Sequence, residues 1–232
     1  MKAVVLAGGK GSRLAPFTKF LPKGLIPIND RPILEVLLVQ MKRAGVEEVI
    51  LSVGHMAELL RTFFGEGQKI GLKLSYSHED RPLGTAGPLA LVPGLTDTFL
   101  VANCDLLTSL DLNELLRFHQ QSKADATIAV HTLEQQVPFG VLEFGQDEML
   151  TDYVEKPVHR YPVSMGMYMF EPSVLGFIQR GERLDIPDLI RRLLQARRRI
   201  AGYRFEGYWR DLGNVNDYEE AVREYETQHP RS

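Results

Sequence analysis

The feature that most constrains this chain is a run of small and β-branched residues, KAVVLA (2–7), that passes directly into Gly8-Gly9-Lys10-Gly11-Ser12-Arg13-Leu14. A short continuous apolar run closed by glycines reads as a buried strand followed by a tight turn. Similar runs at 48–53 (EVILSV), 98–102 (TFLVA) and 126–130 (ATIAV) alternate with segments whose apolar residues recur at three and four positions. That alternation is the βαβ signature, and it predicts an α/β fold with a largely parallel sheet. A helix is expected after Asp30, with Pro32 in its first turn and Ile33, Leu34, Leu37, Leu38 and Met41 on one side. Another is expected from Asp111, where Asp-x-x-Glu to Glu114 fits a capping box. The run at 98–102 leads into Asn103-Cys104-Asp105, which puts Asp105 at the carboxyl edge, where open sheets bind ligands.

From about residue 139 the rhythm changes to the strand-like pieces FGVLEF, LTDYVE and SMGMYMF, then two helical stretches and a strand near 200–205. No Pro/Gly/Ser-rich linker intervenes, so this part is expected to extend the same sheet within one domain, 1–227. Residues from Gln228 onward read as a loose tail. Leu189, Leu193 and Leu194 have the spacing of core residues, and Arg191, Arg192 and Arg197 to Arg199 that of a helix end.

The 232 residues give room for one α/β domain with an appendage. Lysine and arginine number 27 against 30 acids, a net of −3, so no global positive field exists to hold nucleic acid. One cysteine cannot form an internal disulfide, and no apolar run approaches the ~20 residues that cross a bilayer. The opening MKAVVLAGG is too short for a signal peptide and has no cleavage site. The expectation is a cytoplasmic protein with small-molecule substrates and no nucleic-acid or membrane partner; the sequence leaves open whether it forms a homodimer.

Glycines after a buried strand let backbone approach an anion, so phosphate is the natural guest of Gly8, Gly9 and Gly11. The spacing is neither a P-loop nor the dinucleotide fingerprint, whose third glycine is replaced by Leu14. Arg13 and Lys23 lie ten apart among Pro16, Pro22 and Pro27, which forbid a continuous helix. Two cations on such a loop suit a triphosphate, arginine by paired contacts and lysine as a point charge. A plain tight turn with solvated charges is the other reading these residues leave open.

The segment LAGGKGSRLAPFTKFLPKGLIPI (6–28) resembles the opening signature of the sugar-1-phosphate nucleotidylyltransferases. EDRPLGTAGPL (79–89), NCD (103–105), FGVLEF (139–144), VEKP (154–157), SMGMYMF (164–170) and GYWRDLGNVNDY (207–218) resemble that family's later blocks, in the same order. The resemblance implies a Rossmann-like three-layer αβα sandwich with a mixed, mostly parallel sheet. It also implies Mg²⁺ dependence and the reaction of an NTP with a sugar 1-phosphate to give NDP-sugar and pyrophosphate. The chain looks like a short form lacking the family's C-terminal β-helix or regulatory module. The nucleotide part would be about 1–135 and the sugar-phosphate part about 136–227.

Carried over by position, the resemblance implies that Asp105 and Asp211 hold Mg²⁺ and that Arg13 and Lys23 are catalytic. Leu6, Ala7, Gly8, Gly9, Gly11, Glu79, Gly84 and Thr85 would bind the nucleotide. Asn103, Gly140, Glu155, Lys156 and Gly166 would bind the sugar phosphate. Cys104 departs from the usual glycine and is expected to crowd the nucleotide sugar. A phosphate monoester has a second pKa of ~6, so the attacking oxygen is already largely ionised and needs no general base. Catalysis then rests on positioning two anions and neutralising their charge.

Many thymidylyl and uridylyl members of the family place glutamine where this chain has Glu79. A carboxylate only accepts hydrogen bonds, and guanine offers two adjacent donors where uracil-type bases present acceptor oxygens. The expectation is therefore GTP with a mannose- or heptose-type 1-phosphate. The alternatives are uridylyl or thymidylyl transfer to another sugar phosphate, cytidylyl transfer to a non-sugar phosphate, and a non-catalytic nucleotide-sugar sensor.

Overall fold

The computed structural model describes residues 1–228. Strand β1 (Lys2–Leu6) is buried on both faces, with Ala3 and Val5 in one core and Val4 in another, as a continuous apolar run requires. After the glycine turn the chain makes three one-turn 3-10 helices (Ser12–Leu14, Phe17–Lys19, Lys23–Leu25) and a tight hairpin of β2 (Pro27–Ile28) and β3 (Arg31–Pro32). Helix α1 (Ile33–Arg43) buries the five expected residues, but Pro32 precedes it instead of standing in its first turn, because Pro32 pairs with Pro27 in the hairpin.

The rhythm continues through β4 (Glu48–Val53), α2 (Ala57–Phe64), β5 (Lys73–His78), a 3-10 turn (Gly87–Leu91), β6 (Phe99–Asn103), β7 (Leu106–Thr108), α3 (Leu112–Ser122) and β8 (Ala126–Gln136). Asp111 caps α3 by accepting from Asn113 N–H at 2.8 Å. Glu114 does not complete the box; its carboxylate accepts from the Tyr203 hydroxyl instead. There follow β9 (Val141–Phe144), β10 (Leu150–Val154), β11 (Val158–Phe170), α4 (Ile186–Gln195), β12 (Ile200–Arg204), β13 (Trp209–Asp211) and α5 (Val215–Gln228).

The main sheet has the order β12-β8-β11-β6-β1-β4-β5, parallel throughout except for β11. Helices α1, α2 and α3 cover one face through Leu34, Leu38, Leu60 and Leu115, and α4 covers the other through Leu189 and Leu193. A small third cluster, Ile28, Ile33, Leu107, Leu212 and Ala221, seats α5 and β13 against β7. The fold is the αβα sandwich with a mixed, mostly parallel sheet that the sequence implies.

Three expectations need correction. The β9–β10 hairpin does not extend the main sheet but forms a two-stranded sheet of its own, with Phe139, Phe144 and Met149 exposed. Leu194 is exposed, because it falls off the stripe that buries Leu189 and Leu193. Gln228 closes α5 and is no tail; residues 229–232 lie outside the described residues. The arginines at and beyond the end of α4 are largely engaged, Arg191 with Asp188, Arg192 with Glu182 and Arg198 with Asp125. Among the described residues, no helix is long and apolar enough to cross a membrane.

Candidate active site

Strand register builds the site. Leu6 is level with Ser52 of β4 and Asn103 of β6, so the turns after three adjacent parallel strands open on one carboxyl edge. There a cleft of about 390 Å³ is lined by Leu6, Gly8, Gly9, Gly11, Arg13, Lys23, Glu79, Gly84, Thr85, Asn103 and Asp105, together with Ser12, Ser52, Pro82, Pro88 and Cys104. Nearly all the residues expected to bind nucleotide therefore meet in one place. Ala7 is the exception: it is buried beneath the turn, its N–H donating to Ser52.

Gly8 lets the Glu79 carboxylate lie directly over the turn, since a Cβ there would lie 2.3 Å from Glu79 Oε1 and would displace it. The other oxygen, Oε2, accepts from Leu83 N–H at 2.8 Å. One carboxylate oxygen is thus anchored to backbone and the other lies over the glycine turn. Burial pushes the Glu79 carboxyl above its ordinary range, against the opposing effects of the Leu83 N–H and His78.

At the other end of the cleft, Lys23 Nζ bonds Asp105 Oδ2, with 15% and 9% of the two side chains exposed. Burial lowers the lysine pKa, opposed by the nearby carboxylates of Asp211 and Asp217, while Arg13 lowers it further. Asp211 comes from β13, which pairs antiparallel with β7 so that Asp211 lies opposite Leu106. Asp105 and Asp211 are consequently neighbours, and Leu212 N–H donates to the Asp105 carbonyl at 3.0 Å. Asp211 also borders a second cavity of about 670 Å³ beside Trp209 and Asp217.

Asp211 Oδ1 is buried and has no hydrogen-bond partner. An ionised oxygen in that position lacks a cation or donor that native structures normally supply. Among the described residues, no group of three or more His, Cys, Asp or Glu side chains is disposed to hold a metal. Mg²⁺ does not need one, because it takes one or two carboxylates and completes its shell with water and substrate phosphates. The residues present fit such an ion.

The structure does not bring every expected residue to the cleft. Gly140, Glu155 and Lys156 sit around the separate hairpin and line neither cavity. Gly140 packs against the Tyr153 hydroxyl, which donates to Glu155 Oε2 at 2.7 Å, and Lys156 N–H donates to the Phe139 carbonyl. Gly166 lies in the irregular stretch of β11 against the Asn103 side chain. Cys104 is 5% exposed and packs in the core at the cleft floor, where burial pushes its thiol up to about 11.

Sequence reasoning missed two acids. Asp217 lies near Asp211 and Arg13 around Gly213, held by Asn214 Nδ2 at 2.5 Å while returning its own N–H to Asn214 Oδ1. The spacing Asn214-x-x-Asp217 at a helix start is the signal that finds it. Asp185, ahead of α4, binds Thr85, and only the pattern of an N-cap followed by Pro187 marks it in the sequence.

A glycine turn, two cations and Asp105 gathered in a cleft at the carboxyl edge of a mostly parallel sheet define an α/β protein of the open-sheet, edge-cleft class. A family profile described as nucleotidyl transferase matches residues 2–228, and the chain belongs to that family. It is 33% identical to UTP–glucose-1-phosphate uridylyltransferase of Synechocystis over 96% of its own length and 63% of that protein. It is 37% identical to the catalytic subunit beta of mannose-1-phosphate guanylyltransferase from Danio rerio over 94% of the chain and 62% of the relative. The chain thus spans less than two thirds of these relatives. Among solved structures, a Bacillus anthracis protein described as a glucose-1-phosphate thymidylyltransferase, in complex with sucrose, matches with a TM-score of 0.77 and 26% identity, over 96% of this chain and 94% of that one.

Proposed function

We propose that this chain transfers a nucleotidyl group from an NTP to a sugar 1-phosphate, releasing pyrophosphate, with GTP and a mannose- or heptose-type 1-phosphate as substrates. The observation that carries the reading is the convergence of the Gly8 to Gly11 turn, Arg13, Lys23, Glu79 and Asp105 on one cleft. The guanylyl choice rests on Glu79, whose acceptor-only carboxylate suits the two adjacent donors of guanine. The name of the Danio rerio relative agrees with it, and that of the Synechocystis relative does not.

In the mechanism, glycine-turn amides hold the phosphate tail, and Arg13 and Lys23 neutralise charge as pyrophosphate departs. Lys23 moves little to do so, because its bond to Asp105 already holds the ammonium at the cleft. The sugar phosphate arrives ionised, so no side chain need take its proton. Asp105 and Asp211 would hold Mg²⁺, which supplies charge neutralisation at the phosphate oxygens. Glu155 and Lys156 enter this reading as sugar-phosphate ligands by sequence position alone, since neither lines the cleft.

A matrix of NTPs against sugar 1-phosphates, read as pyrophosphate release with Mg²⁺, tests the reading. Fastest release from GTP with a mannose- or heptose-type partner is expected. Faster release from UTP or dTTP overturns the choice of base, and tight nucleotide-sugar binding without release from any pair overturns catalysis.

A further inference from the structure

The aspartate ahead of α4 spends its side chain in an unusual way. Asp185 occupies the N-cap position, yet its carboxylate makes no capping bond to its own helix. Oδ1 instead accepts from Thr85 N–H at 2.9 Å and from the Thr85 hydroxyl at 3.3 Å. Thr85 Oγ1 in turn accepts from Ile186 N–H at 2.8 Å, capping the helix from a segment a hundred residues away. The two residues have exchanged roles.

The exchange is one rung of a longer clamp. The Leu184 carbonyl accepts from both Ala86 and Gly87 N–H, and Leu184 N–H donates to Leu83. Contact is close enough that a Cβ on Gly84, at φ +79°, would lie 2.5 Å from the Leu184 carbonyl oxygen and 2.7 Å from Asp185 Oδ1. Behind it, Arg192 binds the Glu182 carboxylate through both terminal nitrogens and also donates to the Phe177 carbonyl, tying the 177–185 loop to the body of α4. In front of it stand Pro82, Gly84, Thr85 and Pro88, one wall of the cleft, with Glu79 anchored to Leu83 at the near end.

We infer that Asp185 is a positioning residue, which fixes the 82–88 wall and thereby the place of Glu79, so that the nucleobase meets a preformed surface. This rests on the proposed nucleotide chemistry and goes beyond it by placing a specificity determinant at the N-cap of α4. A preformed wall lowers the ordering cost of binding. Losing it therefore acts on nucleotide affinity and base preference before it acts on turnover.

Two variants separate this from a plain helix cap. Asp185→Ser keeps a strong N-cap residue for α4 but is too short to reach Thr85, and Asp185→Asn keeps an accepting Oδ1 in place. In Asp185→Ser, the amides of Thr85, Ala86 and Gly87 are expected to exchange hydrogen at least tenfold faster. The KM and the Kd for GTP with Mg²⁺ should rise about tenfold, the order expected for two lost hydrogen bonds, with kcat within about threefold of wild type. Asp185→Asn should restore all three readouts to within about threefold. Unchanged exchange or unchanged GTP affinity in Asp185→Ser overturns the inference. Wild-type protein that binds no nucleotide overturns the functional reading beneath it, while the exchange data still decide whether the clamp exists.

Discussion

Asp211 and Asp105 are joined through their backbones before any ligand arrives: Asp211 lies opposite Leu106 in the β7–β13 ladder, and the next residue, Leu212, donates to the Asp105 carbonyl. Residues more than a hundred apart in sequence are thus fixed as neighbours by a three-residue ladder. Of the two, Asp105 is bonded to Lys23, whereas Asp211 keeps a buried oxygen without a partner.

That unpartnered oxygen predicts a separation of stability from activity. Asp211→Asn replaces a side chain whose buried Oδ1 has no hydrogen-bond partner by one of the same shape. Its denaturation midpoint should be no lower than that of wild type, while turnover falls by about 10²-fold, the order for loss of one strong electrostatic stabiliser. Chemical denaturation beside a pyrophosphate assay checks both, and a variant as active as wild type removes Asp211 from the mechanism.

Lys23→Ala should cost at least ~2–3 kcal/mol of barrier, roughly 30- to 150-fold in rate. Steady-state pyrophosphate release measures it, and unchanged turnover would falsify the catalytic role of Lys23.

Gly8→Ala tests the close approach beneath Glu79. The obstacle is the far end of a side chain, 2.3 Å away, so the fold can adjust by displacing the carboxylate. Thermal stability should change by less than about 1 kcal/mol, while preference for GTP over UTP collapses. Retained base preference in a stably folded variant refutes the assignment of Glu79.

Glu79 also has a pH signature. Its folded pKa lies above the ordinary 4.5 because of burial, so the folded state disfavours the ionised form. Stability is therefore lost as pH rises from 4.5 through the folded value. Glu79→Gln removes this loss while keeping an acceptor for Leu83. The variant should match the pH slope of wild type below 4.5 and gain on it above, as followed by urea denaturation across pH.

The sign is opposite at Glu182, which its hydrogen bond to Arg192 holds down to about 2. The contribution of that pair is present above 4.5 and disappears as pH falls from 4.5 toward 2. The difference between wild type and Glu182→Gln should shrink across that window and vanish only below pH 2 in acid denaturation curves; a difference undiminished at pH 2 assigns the stabilisation to something other than the charge.

The sequence carried the scaffold and the cleft because both are local. KAVVLA and EVILSV bury both faces and could be little other than central strands, and the glycine turn must follow at the strand edge. Arg13, Lys23 and Asp105 follow from the same edge, whereas Glu79 is legible only through the family resemblance of 79–89. The β9–β10 hairpin was misread as an extension of the main sheet because strand pattern reports pleating and not partner: Tyr153 and Val154 pair with Leu142 and Val141 and go no further. Asp185 is not legible because its partner Thr85 lies a hundred residues away, and for Asp217 the local Asn214-x-x-Asp217 spacing marks a helix start but says nothing of Arg13, which only the fold brings to it.

Strand β11 runs against all its companions yet fills the middle of the sheet, between β6 and β8. A ribosome that has already released Asn103 must add everything through Phe170 before that gap can close, roughly 3–13 s at 5–20 residues per second. For that interval β6 presents a bare row of amides and carbonyls to its surroundings. Phe99, Leu100 and Val101 are fully buried in the finished protein, and the strand that carries them is an unpaired edge until β11 arrives.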